Sequence, residues 1–555
     1  MEKDKWSTIW TALIPSLLLS FTLFIFGPLE IYMTNAANFW FGIKAFALIN
    51  FLLFIALSVF LTVLVLLLKG NPHLIHLLFG IALAMYVQGN WMFVSYGQMD
   101  GTAINWEAYG SWPYINLAIW ILLILAPVLI GIFCRNKKGF SSVIKGISLG
   151  IIGVQCITLL TVGLTNDISK DQDYYVARDD QMLNLSKEKN IVVMLFDAYQ
   201  SSYFRQTIED IPEADQILEN FVFFENAAGT SRWSEEGSAT ILTGHQLLAE
   251  LPFRKNIDYI YNQSQFLPLL KKNHYDVRYY VQSNLVSPTL DGVIQNIVRR
   301  EQEIAPSFSF SKVMLQITAF RYMPHVLKPY FWFSYNDIEN LKAVDTNDEK
   351  ETEFIMADQK FNQEILDGEL ASENKNKTYR FYYFKGVHTP YNMNANCEYV
   401  EYDGDINIVD YVKDIHENDM IYQQSLGCVR IIANFIQALK DEGIYDQTDI
   451  VITADHGWEN RYNPLLLVKS KDTAGPFKIS RAPVSYIEDF EPTILSLIDE
   501  SYQEKKTVFD YEEGEERRRY FYVYDINIAD RSYNERIKYY TDTLNPPRIS
   551  DFHPC

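Results

Sequence analysis

Five apolar stretches, each long enough to cross a bilayer, crowd into the first 165 of 555 positions. A helix rises about 1.5 Å per residue, so roughly 20 apolar residues cover about 30 Å of hydrocarbon. Trp6–Leu29 carries no charge, Ala45–Leu68 is dominated by Leu, Phe, Val and Ile, and Tyr114–Phe133 and Gly146–Thr165 are equally clean. Leu74–Ser95 is weaker, being interrupted by His76, Gln88 and Asn90. The first stretch has no small-residue cleavage site and more spans follow it, so it reads as a retained span and not a secretory signal. Gln88–Asn90 with Tyr109–Trp112 could meet a lipid headgroup, although polar groups within spans more often bond to neighbouring helices.

The charges between spans set an orientation. Lys3 and Lys5 precede the first span, Lys69 follows the second, and Arg135, Lys137, Lys138 and Lys145 lie between the fourth and fifth. The alternate loops hold Glu30, Asp100 and Glu107 with Lys44 alone as a basic residue, and Trp40, Trp91, Trp106 and Trp112 fit interfacial positions. The positive-inside rule then places the N-terminus in the cytoplasm and everything after residue 165 outside the cell.

The two parts differ in charge, with a net +3 over residues 1–165 and −24 over the remainder. No basic face large enough to neutralise phosphates is apparent, so a nucleic-acid partner is excluded. An aromatic content of 15% supplies ample core and speaks against disorder. Residues 166–189 are polar and read as a linker. Beyond them, short apolar runs at Ile191–Phe196, Phe221–Phe224, Val277–Val281, Arg380–Phe384 and Ile450–Thr453 alternate with helical patterns such as Asn418–Glu442. That alternation predicts an α/β domain with a mostly parallel sheet and helices on both faces. The expected division is a five-span anchor at 1–165, the linker, a catalytic domain at 190–500 and a packed extension at 501–555.

In such a sheet the chemistry sits at the carboxyl ends of strands. Asp197 ends IVVMLF, Asp455 and His456 end DIVITA, and His388 follows FYYFKGV. Between Asp197 and His388 lies GTSRWSEEGSATILTG, residues 229–244, a hydroxyl-rich and glycine-rich stretch that opens a predicted helix. Two carboxylates, an imidazole and a hydroxyl oxygen form a coherent ligand set for Zn2+ or Mn2+. A cation bound there lowers the pKa of a hydroxyl that is otherwise a poor nucleophile. Glu235 and Glu236 fit a solvated helix start, while Arg232 and, less readily, Lys469 could reach phosphate oxygens.

The order NIVVMLFDAY, ILTG, GVHTPY, DIVITADHG resembles the sulfatase-like branch of the alkaline phosphatase superfamily over about residues 188–500. YNPLLLVK and DFEPTILSLI resemble that family's late strand and helix. Five spans before an outer catalytic domain resemble the lipoteichoic acid synthase group and related phosphoglycerol transferases. The resemblance implies one divalent metal, with Mn2+ expected first and Zn2+, Mg2+ or Ca2+ as alternatives. It implies Asp197, Asp455, His456 and Ser234 as metal ligands and His388 as the residue meeting the transferred group. The family's nucleophile lies ten residues before the glycine of Leu-Thr-Gly, which is Gly244 here, so the position is Ser234, with Thr230 and then Ser231 as alternatives. The Pro and Arg that accompany a formylglycine nucleophile are absent after Ser234, and Ala198 stands where sulfatases carry a second acid.

These departures favour transfer of a phosphoglycerol-type headgroup from a lipid donor such as phosphatidylglycerol to a surface glycan or teichoic acid, through a covalent Ser/Thr intermediate. The competing readings are a sulfatase-like hydrolase, acting on phosphodiesters or sulfuric esters, and an inactive envelope scaffold. Cys134 and Cys156 read as packing residues. Cys397 and Cys428, on the oxidising side, are expected to pair. No lipidation order precedes Cys555.

Overall fold

The computed structural model describes residues 2–36, 39, 41–92, 94–96, 99, 104–166, 174–251, 253–300, 307–334, 337–338, 341, 354, 356–400, 420–527 and 532–555. Trp40 and Asp100 lie outside the described residues. The chain divides into two units, Met1–Gln172 with Glu303–Asp345, and Asp173–Gln302 with Thr346–Cys555.

The first unit contains five helices long and apolar enough to cross a membrane, Ile9–Thr34, Lys44–Leu67, Pro72–Trp91, Trp112–Phe133 and Lys137–Thr165. The first runs past Gly27–Pro28, where a π turn at Thr22–Phe26 accommodates the missing proline N–H and its bulky ring. Leu48, Phe51, Leu52 and Ile55 are exposed along the second helix, as a lipid-facing side requires. Polar groups turn inward. Gln88 Oε1 accepts from Asn116 Nδ2 at 2.8 Å and from Trp120 Nε1 at 3.0 Å, and Gln155 Nε2 donates to Thr22 Oγ1 at 2.9 Å. Gln88 therefore joins helices, and the headgroup reading of its stretch gives way to packing.

The second unit is built on a seven-stranded sheet. Its strands in chain order are β1 (Asn190–Phe196), β2 (Phe221–Phe224), β3 (Asp276–Tyr280), β4 (Thr378–Phe384), β5 (Thr448–Thr453), β6 (Leu466–Lys469) and β7 (Lys478–Ser480). The spatial order is β7-β2-β6-β5-β1-β4-β3. Only β6 runs against its neighbours. Along β1, Ile191, Val193 and Leu195 enter one core while Val192, Met194 and Phe196 enter another, so both faces are covered, as the apolar run requires. The helices Ser234–Thr243 and Glu491–Ile498 pack on the first face, and Ser201–Glu209, Asp358–Leu366 and Met420–Asp441 on the second.

Within the polar stretch 166–189, Tyr174–Ala177 pairs with Ile297–Arg300 and Asn184–Ser186 with Ala371–Asn374. A hairpin, β8 (Arg519–Asn527) and β9 (Ser532–Thr541), follows the sheet, and Tyr522 N donates to Thr230 O at 2.9 Å. Cys397 and Cys428 are free, buried thiols, which overturns the expected disulfide; Cys397, at φ 63°, aims its thiol at the Gly427 carbonyl 3.1 Å away.

Arg380 of β4 is fully buried, and its Nη2 meets Asp276 Oδ2 at 2.6 Å and Asn184 O at 2.8 Å. Burial pushes the Asp276 carboxyl up, but the Arg380 and Arg278 guanidiniums outweigh it and hold the group below its ordinary range. Asp276→Ala leaves a buried cation without its carboxylate, so a loss of about 3–5 kcal/mol is expected. A thermal melt of the detergent-solubilised chain checks this, and an unchanged midpoint contradicts it.

Candidate active site

Three strands end at one place because β5, β1 and β4 are adjacent and parallel. Asp197 follows β1 directly. Its N–H donates to Phe384 O of β4 at 3.1 Å, and its own carbonyl accepts from Val387 N at 2.9 Å. Ala198, at φ 59°, turns the chain sharply and donates its N–H to Asp455 Oδ1 at 3.0 Å. Such a left-handed alanine costs about 1–3 kcal/mol and persists only where its surroundings fix it. Here the Asp455 carboxylate does so. Asp455 Oδ1 also accepts from His456 N at 2.9 Å, and Oδ2 from Ser238 Oγ at 3.3 Å.

Ser234 is the first residue of the helix Ser234–Thr243, whose N-cap, Trp233, makes no side-chain capping bond. The helix dipole favours negative charge beside this N-terminus. Ser234 Oγ lies 3.2 Å from Asp197 Oδ1 and 3.0 Å from His456 Nε2. His456 Nε2 is 3.8 Å from Asp197 Oδ1 and 3.9 Å from Asp455 Oδ2. His456 Nδ1 is 2.7 Å from Gly457 O, and a carbonyl only accepts, so Nδ1 carries the proton and Nε2 presents its lone pair inward.

One ligand atom from each of Asp197, Asp455 and His456 lies within 4.8 Å of the others, all three residues being buried. Acceptors alone thus converge with a serine oxygen, which is the donor set of a divalent cation. Burial, first, and then the Asp455 charge push the Asp197 carboxyl up, with His456, Tyr383 and Ser234 opposing. A cation at the centre removes that conflict.

The helix carrying Ser234 reaches this point because Gly237 lacks a side chain. A Cβ there would stand 2.5 Å from the Asp455 backbone oxygen. Gly237→Ala is expected to push Ser234 away from the ligands and to lower metal affinity and turnover together, about 10²-fold for a displacement near 1 Å. Calorimetric titration with Mn2+ alongside a turnover assay checks both, and wild-type values for either contradict the packing argument.

Sequence reasoning missed five supporting residues, Tyr383, Ser238, Arg461, Trp233 and Trp458. Tyr383 OH donates to Asp197 Oδ2 at 2.8 Å, and Ser238 holds Asp455. The Arg461 guanidinium lies 4.6 Å from the Trp233 ring and 5.7 Å from the Trp458 ring, and Nη1 donates to Arg232 O at 2.7 Å. Tyr383 was legible only as the penultimate residue of an apolar strand, and the Trp–Arg stack had no periodic signal at all.

None of the other candidates makes a hydrogen bond to Asp197, Asp455 or His456 among the described residues. Thr230 and Ser231 are buried with hydroxyls that make no hydrogen bond, so neither is bonded to the ligand group. His388 is half-buried, with Nδ1 2.6 Å from Thr389 O and its ring 5.8 Å from that of Trp458. Lys469 faces the opposite end of the sheet, bonding Tyr445 O and Thr448 O at 2.7 Å, and does not reach phosphate. Glu236 is buried instead of solvated, because the helix packs its inner side into the domain. Arg232 sits half-buried 5.4 Å from the Trp233 ring.

A family model described as Sulfatase matches residues 189–499. No curated protein matches the chain. Similar solved structures include the lipoteichoic acid synthase LtaP from Listeria monocytogenes, 12% identical, covering 65% of this chain and 86% of that one at a TM-score of 0.35. The phosphonate monoester hydrolase SpPMH from Silicibacter pomeroyi is 14% identical over 66% of this chain and 88% of its own, at 0.38. The putative sulfatase yidJ from Bacteroides fragilis is 14% identical over 64% and 84%, at 0.40.

Proposed function

The chain belongs to the sulfatase family, and from that premise we propose that it is a membrane-anchored, metal-dependent phosphotransferase of the cell envelope. The observation that carries this is a serine at a helix N-terminus, its oxygen 3.0–3.2 Å from atoms of Asp197 and His456, in a sequence without the Pro and Arg of a formylglycine site. Asp197, Asp455 and His456 hold one divalent cation, with Mn2+ ahead of Zn2+, Mg2+ and Ca2+, and Ser234 adds its oxygen. Bound there, the cation lowers the pKa of the serine hydroxyl and offsets charge on the transferring group.

Ser234 Oγ releases its proton to solvent and forms a bond to the phosphorus of a lipid donor such as phosphatidylglycerol. The bond from phosphorus to the diacylglycerol oxygen breaks, and that oxygen takes a proton. We assign His388, whose Nδ1 lies 2.6 Å from Thr389 O, to supply this proton or to contact the phosphate. A hydroxyl of a surface glycan or teichoic acid then attacks the phosphoglycerol-serine ester and frees Ser234. The catalytic domain works outside the cell, beside its membrane donor, with the N-terminus in the cytoplasm.

Arg461 has further N–H donors beyond the one on Arg232 O, and its stack on two indoles pre-orients them toward phosphoryl oxygens. Arg461→Gln is expected to lower kcat/KM about 10²-fold while metal content stays at the wild-type level, with partial recovery in Arg461→Lys. Equal kcat/KM in wild type and Arg461→Gln contradicts that role.

The test of the function uses the full chain in detergent with Mn2+, labelled phosphatidylglycerol and a teichoic acid acceptor. Diacylglycerol release with the label on the polymer supports transfer. Label found only as free glycerol phosphate converts the protein into a hydrolase, and sulfate release from an aryl sulfate with no action on the lipid makes it a sulfatase.

A further inference from the structure

A segment far along the sequence, residues 307–334, belongs to the unit of the spanning helices. Its helix, Ser307–Tyr322, has 16 residues, about 24 Å of rise, short of the roughly 30 Å of a hydrocarbon core. Its hydrogen bonds and ion pair to the spans gather toward one end of the bundle. Ser311 Oγ donates to Phe46 O at 3.3 Å, and the Phe310 ring lies 4.7 Å from that of Phe41, both at the entry to the second span. Arg321 Nε donates to Gly89 O at 3.1 Å, at the exit of the third span, and its Nη1 meets Glu30 Oε2 at 2.8 Å, at the exit of the first. His325 N donates to Asn116 Oδ1 at 2.9 Å, at the entry to the fourth. Consecutive spans alternate in direction, so these exits and entries share one side of the membrane. The helix therefore lies across the span ends and does not run alongside them.

The fit is close. A Cβ on Gly27 would stand 2.5 Å from Thr318 Cγ2, and one on Gly89 would stand 2.3 Å from the Tyr322 ring. Phe310, Val313, Met314, Ile317 and Tyr322 belong to the same buried core as the spans. The helix C-terminus is closed by protein, with Lys328 Nζ donating to the Phe320 and Arg321 carbonyls. At the two ends of the segment large apolar side chains stand free, Phe308 66% exposed and Tyr330 81% exposed. The exposed apolar faces of the spans lie in the same unit.

We infer that residues 307–334 form a non-spanning membrane element that lies in the headgroup layer across the ends of the first four spans and presents Phe308 and Tyr330 to lipid. Its partner is the bilayer surface, because the segment is held at the ends of the spans by Phe46, Gly89, Glu30 and Asn116, and exposed aromatic side chains are most stable at that depth. The inference rests on the five helices spanning a membrane and is independent of the reaction at Ser234. The outer part of the sequence then returns to the membrane once after leaving it, through a piece with no spanning length.

The experiment places a nitrobenzoxadiazole label on Phe308→Cys or Tyr330→Cys in the full chain in lipid nanodiscs, with Cys134, Cys156 and Cys555 replaced by Ser. Tyr399→Cys, 66% exposed in the second unit, is the reference. Both insert labels should emit to the blue of the reference, be quenched several-fold more by a headgroup-level nitroxide lipid, and resist aqueous iodide. Iodide quenching equal to that of Tyr399→Cys at either site overturns the inference. Strongest quenching by a nitroxide at the acyl-chain terminus overturns it also, since that places the segment at the bilayer centre.

Discussion

Ser234→Ala is expected to cut turnover by roughly four orders of magnitude or more, the scale of losing an enzyme nucleophile, while the chain still binds its cation. The two outcomes separate because Asp197, Asp455 and His456 hold three ligand atoms without the serine. Metal affinity should fall far less than turnover, since one neutral ligand is lost and water can replace it. Turnover assays with metal analysis on the same preparation check this. If Thr230 or Ser231 were the nucleophile, Ser234→Ala would keep substantial turnover. Neither hydroxyl is hydrogen-bonded to a ligand, so Thr230→Ala and Ser231→Ala should each retain most activity.

Metal removal should destabilise the chain in a pH-dependent way. Without a cation, burial and the Asp455 charge hold the Asp197 carboxyl well above its ordinary range. The folded state then keeps a proton that the unfolded state releases, so stability is greatest at low pH and is lost as pH rises through the folded pKa. The loss is about 1.4 kcal/mol for each pH unit over which only the folded state holds the proton. The cation takes the place of that proton, so the metal-loaded chain escapes the loss. Melting the chain with and without chelator at about pH 5 and about pH 8 should show the gap widening at the higher pH. Asp197→Asn removes the buried charge, so the chelated variant should melt above the chelated wild type at about pH 8 and gain little from metal. A gap independent of pH contradicts this account of the site.

The parts of the molecule that were legible in the sequence are those written in short range. The all-apolar run of six, Ile191–Phe196, reads as a strand buried on both faces, and the carboxylate that stops it stands at the strand's carboxyl end. Asp197, Asp455 and His456 were found that way. Ser234 came from the family resemblance, which puts a nucleophile ten residues before the glycine that matches Gly244, a distance that one helix spans. What escaped depends on register and on long-range packing. Tyr383 meets Asp197 only because β4 is aligned so that Tyr383 lies beside Leu195. Arg461 meets Trp233 across more than two hundred residues of chain. Lys469 looked available because the direction of β6 is not written locally; the antiparallel strand carries it away from the site. The helix Ser307–Tyr322 gave no membrane signal, being short and interrupted by Ser, Lys, Gln and Thr, and its destination shows only beside Gly27 and Gly89.

The −24 charge of the outer part also limits how a donor can be held. An anionic leaflet repels a domain of that charge, so on the proposed function the cation and a few local groups such as Arg461 would hold the lipid phosphate. Modest salt should therefore change activity little, because short-range ligation is weakly screened.

The most direct measurement is the intact mass of the full chain after brief incubation with phosphatidylglycerol and Mn2+ and no acceptor. The account predicts an added mass of one phosphoglycerol group on the wild type, mapping to the peptide that contains Ser234 and absent from Ser234→Ala. An adduct that persists in Ser234→Ala, or a wild type that releases diacylglycerol with no adduct at any time, contradicts it.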